Sequence, residues 1–118
     1  ASAATDTGHQ AGGMESAWAK GNPAAIRDYG WRGIHLMTVN AKKLVAGYYG
    51  RPASKSYFGS CSGGGRQALI EASRYPEDYD GLIAGATFGR ESLSSPGVVA
   101  TTSRERLSRR DAVATTGR

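Results

Sequence analysis

The sequence has few of the features that cross-link a small chain or anchor it in a membrane. Among its 118 residues there is a single cysteine, Cys61, which cannot form a disulfide within the chain. No apolar run approaches the ~20 residues that a membrane-spanning helix needs, so we predict no membrane partner. The chain begins with Ala1 rather than Met, and the lack of a recognisable signal peptide is therefore uninformative.

Aromatic residues and acidic charge are scarce toward the carboxyl end. Residues 89–118 contain no aromatic side chain and carry six arginines against three acidic residues, which accounts for much of the net charge of +5. Such a segment can bury little apolar surface, so we predict an irregular, disordered tail over residues 89–118. Residues 1–88 are then the structured part, and their near-neutral charge argues against a nucleic-acid partner.

The body of the chain alternates between two kinds of pattern. Small or aromatic runs read as strands, and one stretch has apolar residues at spacings of three and four, which indicates a helix. Alternating strands and helices favour a parallel sheet covered by helices. The predicted elements are a strand at 1–5, a helical turn from Pro23, a helix at 31–48, a strand at 55–59, a helix at 66–74 and a strand at 80–86.

The most informative stretch is residues 57–67, which read YFGSCSGGGRQ. A strand that runs through small residues directly into a helix is the layout of a nucleophile elbow. Two registers fit: Ser62 flanked by Ser60 and Gly64, or Cys61 flanked by Gly59 and Gly63. Spacing alone does not decide between serine and cysteine. A phosphate loop fits less well, because no lysine follows the glycines.

The sequence resembles the tannase/feruloyl esterase family over roughly residues 3 to 86. The matching segments are ATDTGH at residues 4–9, RGIH at 32–35 leading to YYG at 48–50, SYF at 56–58 with CSGGGRQAL at 61–69, and RYPEDYDGLIAGA at 74–86. Ordered matches of this kind are more specific than one short motif. The resemblance implies the core of an α/β-hydrolase, and because that fold usually needs about 200 residues we expect this chain to be a fragment of it.

The resemblance also implies roles for individual residues. Ser62 would be the nucleophile of a carboxylic ester hydrolase, and the backbone N–H of Gly63 an oxyanion donor. Cys61 would form one half of a disulfide in the parent enzyme, which implies a secreted or periplasmic location. The substrate would be a small aromatic ester, either galloyl or feruloyl. Ser60 departs from the glycine usual at its position, and its small size should be tolerated.

The rest of a catalytic triad is not found after the predicted nucleophile. In α/β-hydrolases the acid and then the histidine follow the serine in the chain, whereas His9 and His35 both precede Ser62. We therefore expect little or no esterase turnover from this chain alone. We predict no cofactor or metal site within it, although the resemblance implies that a lid in the parent enzyme can hold calcium. The alternatives are a hydrolase that uses Cys61 and a nucleic-acid-binding protein with a basic tail.

Overall fold

A computed structural model describes residues 1–85 and 98–101. Contacts divide the chain into two units, Ala1–Ala53 and Ser54–Arg118, called here the helical unit and the sheet unit. Each unit is described by itself. Among the described residues, no helix combines the length and apolar character that crossing a membrane requires.

The helical unit begins with turns and ends with one long helix. Pro23 opens the first α-helix, as predicted, because proline suits a first helical position. The side chain of Asn22 caps this helix by accepting the N–H of Ala25 at 3.1 Å. The elements are a 3₁₀ turn at Ala17–Ala19, α1 at Pro23–Arg27, a π-helical turn at Asp28–Arg32 and α2 at Gly33–Tyr49.

Helix α2 confirms the predicted helix, and its predicted apolar face is confirmed only at the start. The spacing of three and four places Ile34, Leu44 and Tyr48 on that face, and Ile34 is buried, whereas Leu44 and Tyr48 are 74% and 83% exposed. Thr38 is also buried, and its hydroxyl donates to the Ile34 carbonyl at 2.8 Å. The helix ends at Gly50, whose φ of 66° continues the chain in the left-handed conformation that glycine favours.

The predicted strand at residues 1–5 is wrong, because these residues are exposed and unpaired in the structure. The sequence there consists of small residues, which fit a buried strand but do not require one. A strand forms only where a neighbour accepts its backbone hydrogen bonds, and no such neighbour is present among the described residues.

The sheet unit is a strand-helix-strand unit extended by one antiparallel strand. β1 and β2 are parallel, with Tyr57 opposite Gly81 and Cys61 opposite Gly85. Helix α3 connects them, as the predicted parallel sheet requires, although β1 lies two residues later than predicted. The elements are β1 at Tyr57–Cys61, α3 at Gly63–Arg74, β2 at Gly81–Gly85 and β3 at Val98–Thr101, in the sheet order β1-β2-β3.

Strand β3 corrects the prediction of a wholly irregular tail. Its four residues pair antiparallel with β2, placing Val98 opposite Gly85 and Thr101 opposite Leu82. Two valines and a threonine give this short stretch strand propensity despite its polar surroundings. The other tail residues, 89–97 and 102–118, lie outside the described part of the chain.

The core of the sheet unit lies between α3 and one face of the sheet. Leu82 and Ala84 point toward this side and are 3% and 2% exposed, and Ala68 of α3 is 1% exposed. The apolar pattern of the predicted helix at 66–74 favours Ala68 and Leu69 as inward residues, but Leu69 is 39% exposed. The alternation along β2 leaves Ile83 on the opposite, exposed face.

Asp80 fixes the start of the two parallel strands. Its N–H donates to the Ser56 carbonyl at 2.8 Å, and its carboxylate accepts the Ser56 N–H at 2.9 Å and the Lys55 ammonium at 3.1 Å. Asp80 therefore lies just before β2 and joins it to the segment that leads into β1.

Candidate functional site: the strand-to-helix turn at Ser62

Ser62 is the single residue between the end of β1 and the start of α3. Its φ of 56° and ψ of −122° place it in a region of backbone space that is strained for any residue except glycine. Its N–H donates to the Gly85 carbonyl at 3.0 Å, and its carbonyl accepts the Arg66 N–H at 3.1 Å. The sharp turn is thus held on one side by the neighbouring strand and on the other by the helix.

The backbones around this turn approach closely, and glycine is required for that approach. A Cβ on Gly64 would lie 2.0 Å from the Ser60 hydroxyl oxygen, and a Cβ on Gly85 would lie 2.7 Å from the Cys61 sulfur. Both distances are shorter than real Cβ contacts. These positions confirm that small residues around the turn are a steric requirement of the strand-helix junction.

The structure places Cys61 and Ser62 differently. Cys61 is the last residue of β1, paired with Gly85, and its thiol is free. Ser62 lies at the junction itself, and its side chain makes no capping hydrogen bond to α3. A side chain at the apex of such a turn projects away from both flanking elements, which is the property that a nucleophile elbow uses.

Gly63 is the first residue of α3, directly after Ser62. The first helical hydrogen bond comes from Arg66, so the N–H groups of Gly63, Gly64 and Gly65 are not used within the helix. Apart from the adjoining residues and the backbone of α3 itself, no described atom lies within 4 Å of the position that a Cβ on Gly63 would occupy. Free amides at the positive end of a helix can stabilise an anion that forms beside them.

Behind the turn, α3 carries a buried carboxyl that the sequence analysis missed. Glu71 is 0% exposed, and one of its oxygens lies within 4.8 Å of an oxygen of Asp78, which is 5% exposed. Neither Glu71 oxygen has a hydrogen-bond partner of acceptable distance and angle among the described residues. Burial and, second, the charge of Asp78 raise the pKa of Glu71 to about 8.

A proton on Glu71 removes the electrostatic repulsion between these two buried carboxylates. With its pKa at about 8, Glu71 holds a proton at pH 7 and carries no charge beside Asp78. The sequence signal was the spacing: Gly65, Ala68 and Glu71 recur every three residues along the buried side of α3. Judging inward positions by apolar character alone favoured Leu69 instead.

The other residues weighed from the sequence belong to the helical unit. The Asp6 carboxylate makes a turn hydrogen bond, accepting the Gly8 N–H at 2.9 Å. His9 stacks on Trp18 with ring centroids 3.9 Å apart, which places both in an aromatic cluster with Tyr29. His35 is half-buried on α2.

The chain is similar in sequence to proteins whose names describe esterases or hydrolases. The chain is 45% identical to a probable feruloyl esterase B-2 of Aspergillus flavus over 65 residues, which cover 55% of the chain and 12% of the relative. It is 43% identical over 86 residues to an uncharacterized esterase of Xanthomonas campestris, covering 73% of the chain and 15% of the relative. It is 40% identical over 92 residues to the mono(2-hydroxyethyl) terephthalate hydrolase of Piscinibacter sakaiensis, with the same coverage.

The chain therefore spans only 12–15% of the length of these relatives. A family model described as tannase and feruloyl esterase matches residues 1–90, which is most of the chain and includes the whole turn at Ser62. The chain belongs to the tannase and feruloyl esterase family.

Proposed function

We propose that this chain supplies the nucleophile elbow of a carboxylic ester hydrolase, with Ser62 as the nucleophile. The observation that carries the proposal is the backbone of Ser62, which has a φ of 56° at the junction of a parallel strand and a helix. Backbone strain of this kind is concentrated at active sites, where it can present a side chain to a reacting group. Membership of an esterase family supports the same chemistry.

In the proposed reaction the Ser62 hydroxyl oxygen attacks the carbonyl carbon of an ester. The negative charge that develops on the carbonyl oxygen is stabilised by the Gly63 N–H and the positive end of α3. A histidine oriented by an acid would accept the Ser62 proton and pass it to the leaving alcohol. No histidine follows Ser62 in this sequence, so the base and acid of the proposed triad are not assigned to residues of this chain.

We propose aromatic carboxylic esters as the substrate class. Two relatives are named for feruloyl or terephthalate esters, and both acids carry an aromatic ring next to or near the carbonyl. The proposal covers galloyl, feruloyl and related esters as a class. No described residue of this chain is assigned to ring recognition.

The remaining expectations about the parent enzyme stay predictions. The Cys61 thiol is free among the described residues, so its disulfide and the secreted or periplasmic location depend on the family resemblance. The calcium site is expected in a lid region, and no residue described in this structure is assigned to it.

The test uses a hybrid enzyme. The matching segment of the Piscinibacter sakaiensis hydrolase, aligned over 92 residues, is replaced by the corresponding residues of this chain. We expect the hybrid to hydrolyse mono(2-hydroxyethyl) terephthalate or methyl ferulate, and Ser62→Ala to lower kcat by about 10⁴-fold or more, because loss of a serine nucleophile has effects of that size. A fluorophosphonate probe should label Ser62, identified by peptide mass spectrometry.

Two results would contradict the assignment of Ser62. One is an active hybrid whose Ser62→Ala variant keeps its kcat, and the other is a probe attached to Cys61 instead. The purified 118-residue chain serves as the second arm. We expect it to hydrolyse the same esters no faster than buffer does, because it lacks a histidine after Ser62.

A further inference from the structure

We propose that Gly85 is a positioning residue for Ser62, because its carbonyl holds the Ser62 N–H while its bare Cα leaves room for the Cys61 sulfur. Gly85 is the last residue of β2, the strand beside the turn, and it is buried. The proposal rests on the proposed function of Ser62. It adds a residue of the neighbouring strand to the groups that aim the nucleophile.

The first part of this role is a backbone hydrogen bond. The Ser62 N–H donates to the Gly85 carbonyl at 3.0 Å, and Cys61, the preceding residue, is paired with Gly85 in the parallel register. This bond fixes the peptide plane between Cys61 and Ser62. Because the φ of 56° at Ser62 is strained, it persists only while the surrounding structure holds it. The Gly85 carbonyl is one of the groups that do so.

The second part is the space that a glycine leaves at position 85. A Cβ there would lie 2.7 Å from the Cys61 sulfur, whereas the next atoms, the Ser60 carbonyl oxygen and the Cys61 Cα, would lie at 3.6 and 3.8 Å. Only the first of these distances is shorter than real Cβ contacts. Among the described residues that do not adjoin Gly85, the sulfur is therefore the atom that a side chain at this position would displace.

The requirement for glycine at position 85 is steric rather than conformational. Gly85 is not among the glycines with positive φ, so alanine can adopt its backbone conformation. Paired residues direct their side chains to the same face of a sheet, and alternation along β2 makes this the face opposite to the one that carries the buried Leu82 and Ala84. Cys61 and Gly85 therefore meet on the face away from α3.

An added side chain at position 85 would act on Ser62 through the end of β1. With a Cβ present, the Cys61 sulfur cannot keep its place, and we expect the end of β1 to move away from β2. Such a movement lengthens the hydrogen bond between Ser62 and Gly85 and releases the strained peptide. A displacement of about 1 Å at a reacting group can cost ~100-fold in rate. The loss should therefore appear in the chemical step.

The first experiment is a double-mutant cycle in the 118-residue chain. Gly85→Ala should lower the urea midpoint of unfolding, because the new Cβ meets the Cys61 sulfur. In a chain that already carries Cys61→Ala, the same change should cost about half as much or less, because the obstructing atom is gone and residues in contact are not additive.

Gly59→Ala is the matched control, on the same face of the sheet as Gly85. Gly59 also lacks a positive φ, and a Cβ there would lie 3.8 Å from the Ile83 Cβ, which is an ordinary contact. Its effect on the urea midpoint should be the same with and without Cys61→Ala, because its Cβ does not meet the sulfur.

The second experiment measures positioning in the hybrid enzyme. We expect Gly85→Ala to lower kcat by about 10-fold with KM changed less than about 2-fold, since orientation acts on the chemical step. The rate of fluorophosphonate labelling at Ser62 should fall in parallel, and Gly59→Ala should leave both rates within about 2-fold of the unmodified hybrid. Measurements are made where circular dichroism shows every variant folded. A residue that only stabilises the fold would then leave both rates unchanged.

Removal of the Cys61 sulfur should make the enzyme tolerant of a side chain at position 85. In a hybrid that carries Cys61→Ala, Gly85→Ala should lower kcat and the labelling rate by less than about 3-fold. Both rates are compared with those of the Cys61→Ala hybrid itself, because the family resemblance implies a disulfide at Cys61 whose loss changes the starting rates.

The outcomes separate this proposal from the proposed function. If Ser62→Ala abolishes activity while Gly85→Ala leaves kcat and labelling unchanged, the positioning role is overturned and the nucleophile assignment stands. If Gly85→Ala has the same effect with and without the Cys61 sulfur, the packing on which the role depends is overturned. If Ser62→Ala keeps activity, the proposed function fails, and the positioning role fails with it.

Discussion

The turns at Thr7 and Ser62 both contain a non-glycine residue with positive φ, but the surroundings of the two residues differ. Among the described residues, Thr7 and Ser62 are the two non-glycine residues with positive φ, at 55° and 56°. Thr7 is 7% exposed, its hydroxyl donates to the Asp6 carbonyl at 2.7 Å, and its N–H donates to the Thr5 hydroxyl at 3.1 Å. Ser62 is exposed, and its side chain makes no capping hydrogen bond to α3.

The comparison shows that strain alone does not identify a reactive residue. At Thr7 the polar groups are consumed by local hydrogen bonds, so the strained conformation shapes a turn. At Ser62 the backbone is fixed by Gly85 and Arg66 while the hydroxyl is left available. A strained residue becomes a candidate for chemistry when its side chain is not needed to hold the strain.

The largest expected difference between the two turns concerns the glycines that follow them. Gly8 has a φ of 85°, and a Cβ there would lie 2.8 Å from the Asp28 Cβ, so Gly8→Ala should lower the free energy of unfolding by about 2–4 kcal/mol. Gly63 is the first residue of α3 and has room for a Cβ. Gly63→Ala should therefore change the free energy of unfolding by less than about 1 kcal/mol. Urea unfolding of the 118-residue chain measures both. Equal losses would show that the two turns are packed alike.

The next expected effect is a pH dependence of stability that arises in the sheet unit, from Glu71. Its pKa is about 8 in the folded chain against an ordinary value of 4.5. Between these pH values the folded state binds more protons than the unfolded chain. The free energy of unfolding should therefore decrease as pH rises through this window, by up to about 1.4 kcal/mol per pH unit.

Glu71→Gln tests this dependence. Glutamine is neutral and close to glutamate in size, so the variant should lose most of the slope between pH 5 and 8, the range set by those pKa values. At pH 8 the free energy of unfolding of this variant should exceed that of the wild type by about 1–3 kcal/mol. Glu77→Gln, at an exposed position on the same connection, is the matched control and should keep the wild-type slope. Identical slopes in all three proteins would contradict the protonated Glu71.

The smallest expected effect comes from relieving the strain itself. Ser62→Gly should raise the free energy of unfolding by about 0.5–1 kcal/mol, because glycine adopts this conformation without cost and no capping bond is lost. Thr7→Gly should bring no gain, because it also removes a buried side chain and its hydrogen bond. The urea midpoints of unfolding of the two variants, each compared with that of the wild type, measure both effects. A stabilising Thr7→Gly would erase the distinction between the turns.

The strand-to-helix turn at Ser62 was the part of the structure most accessible from the sequence. Its glycines and serines restrict which backbones can meet there, and that restriction acts between residues close in the chain. The start of α1 at Pro23 and the end of α2 at Gly50 were predictable for the same reason. The strand expected at residues 1–5 and the inward face expected for Leu44 and Tyr48 depended on partners that no local pattern specifies.

By itself, the sequence determined the strand-turn-helix layout, the need for glycine around position 62 and the family to which the chain belongs. Tertiary structure alone decided that Ser62 rather than Cys61 occupies the junction and that Ser60 packs on Gly64. It also decided that Glu71 is buried against a second acid. The physical reason is that local sterics act along the chain, whereas register, burial and a shifted pKa arise from groups that meet only after folding.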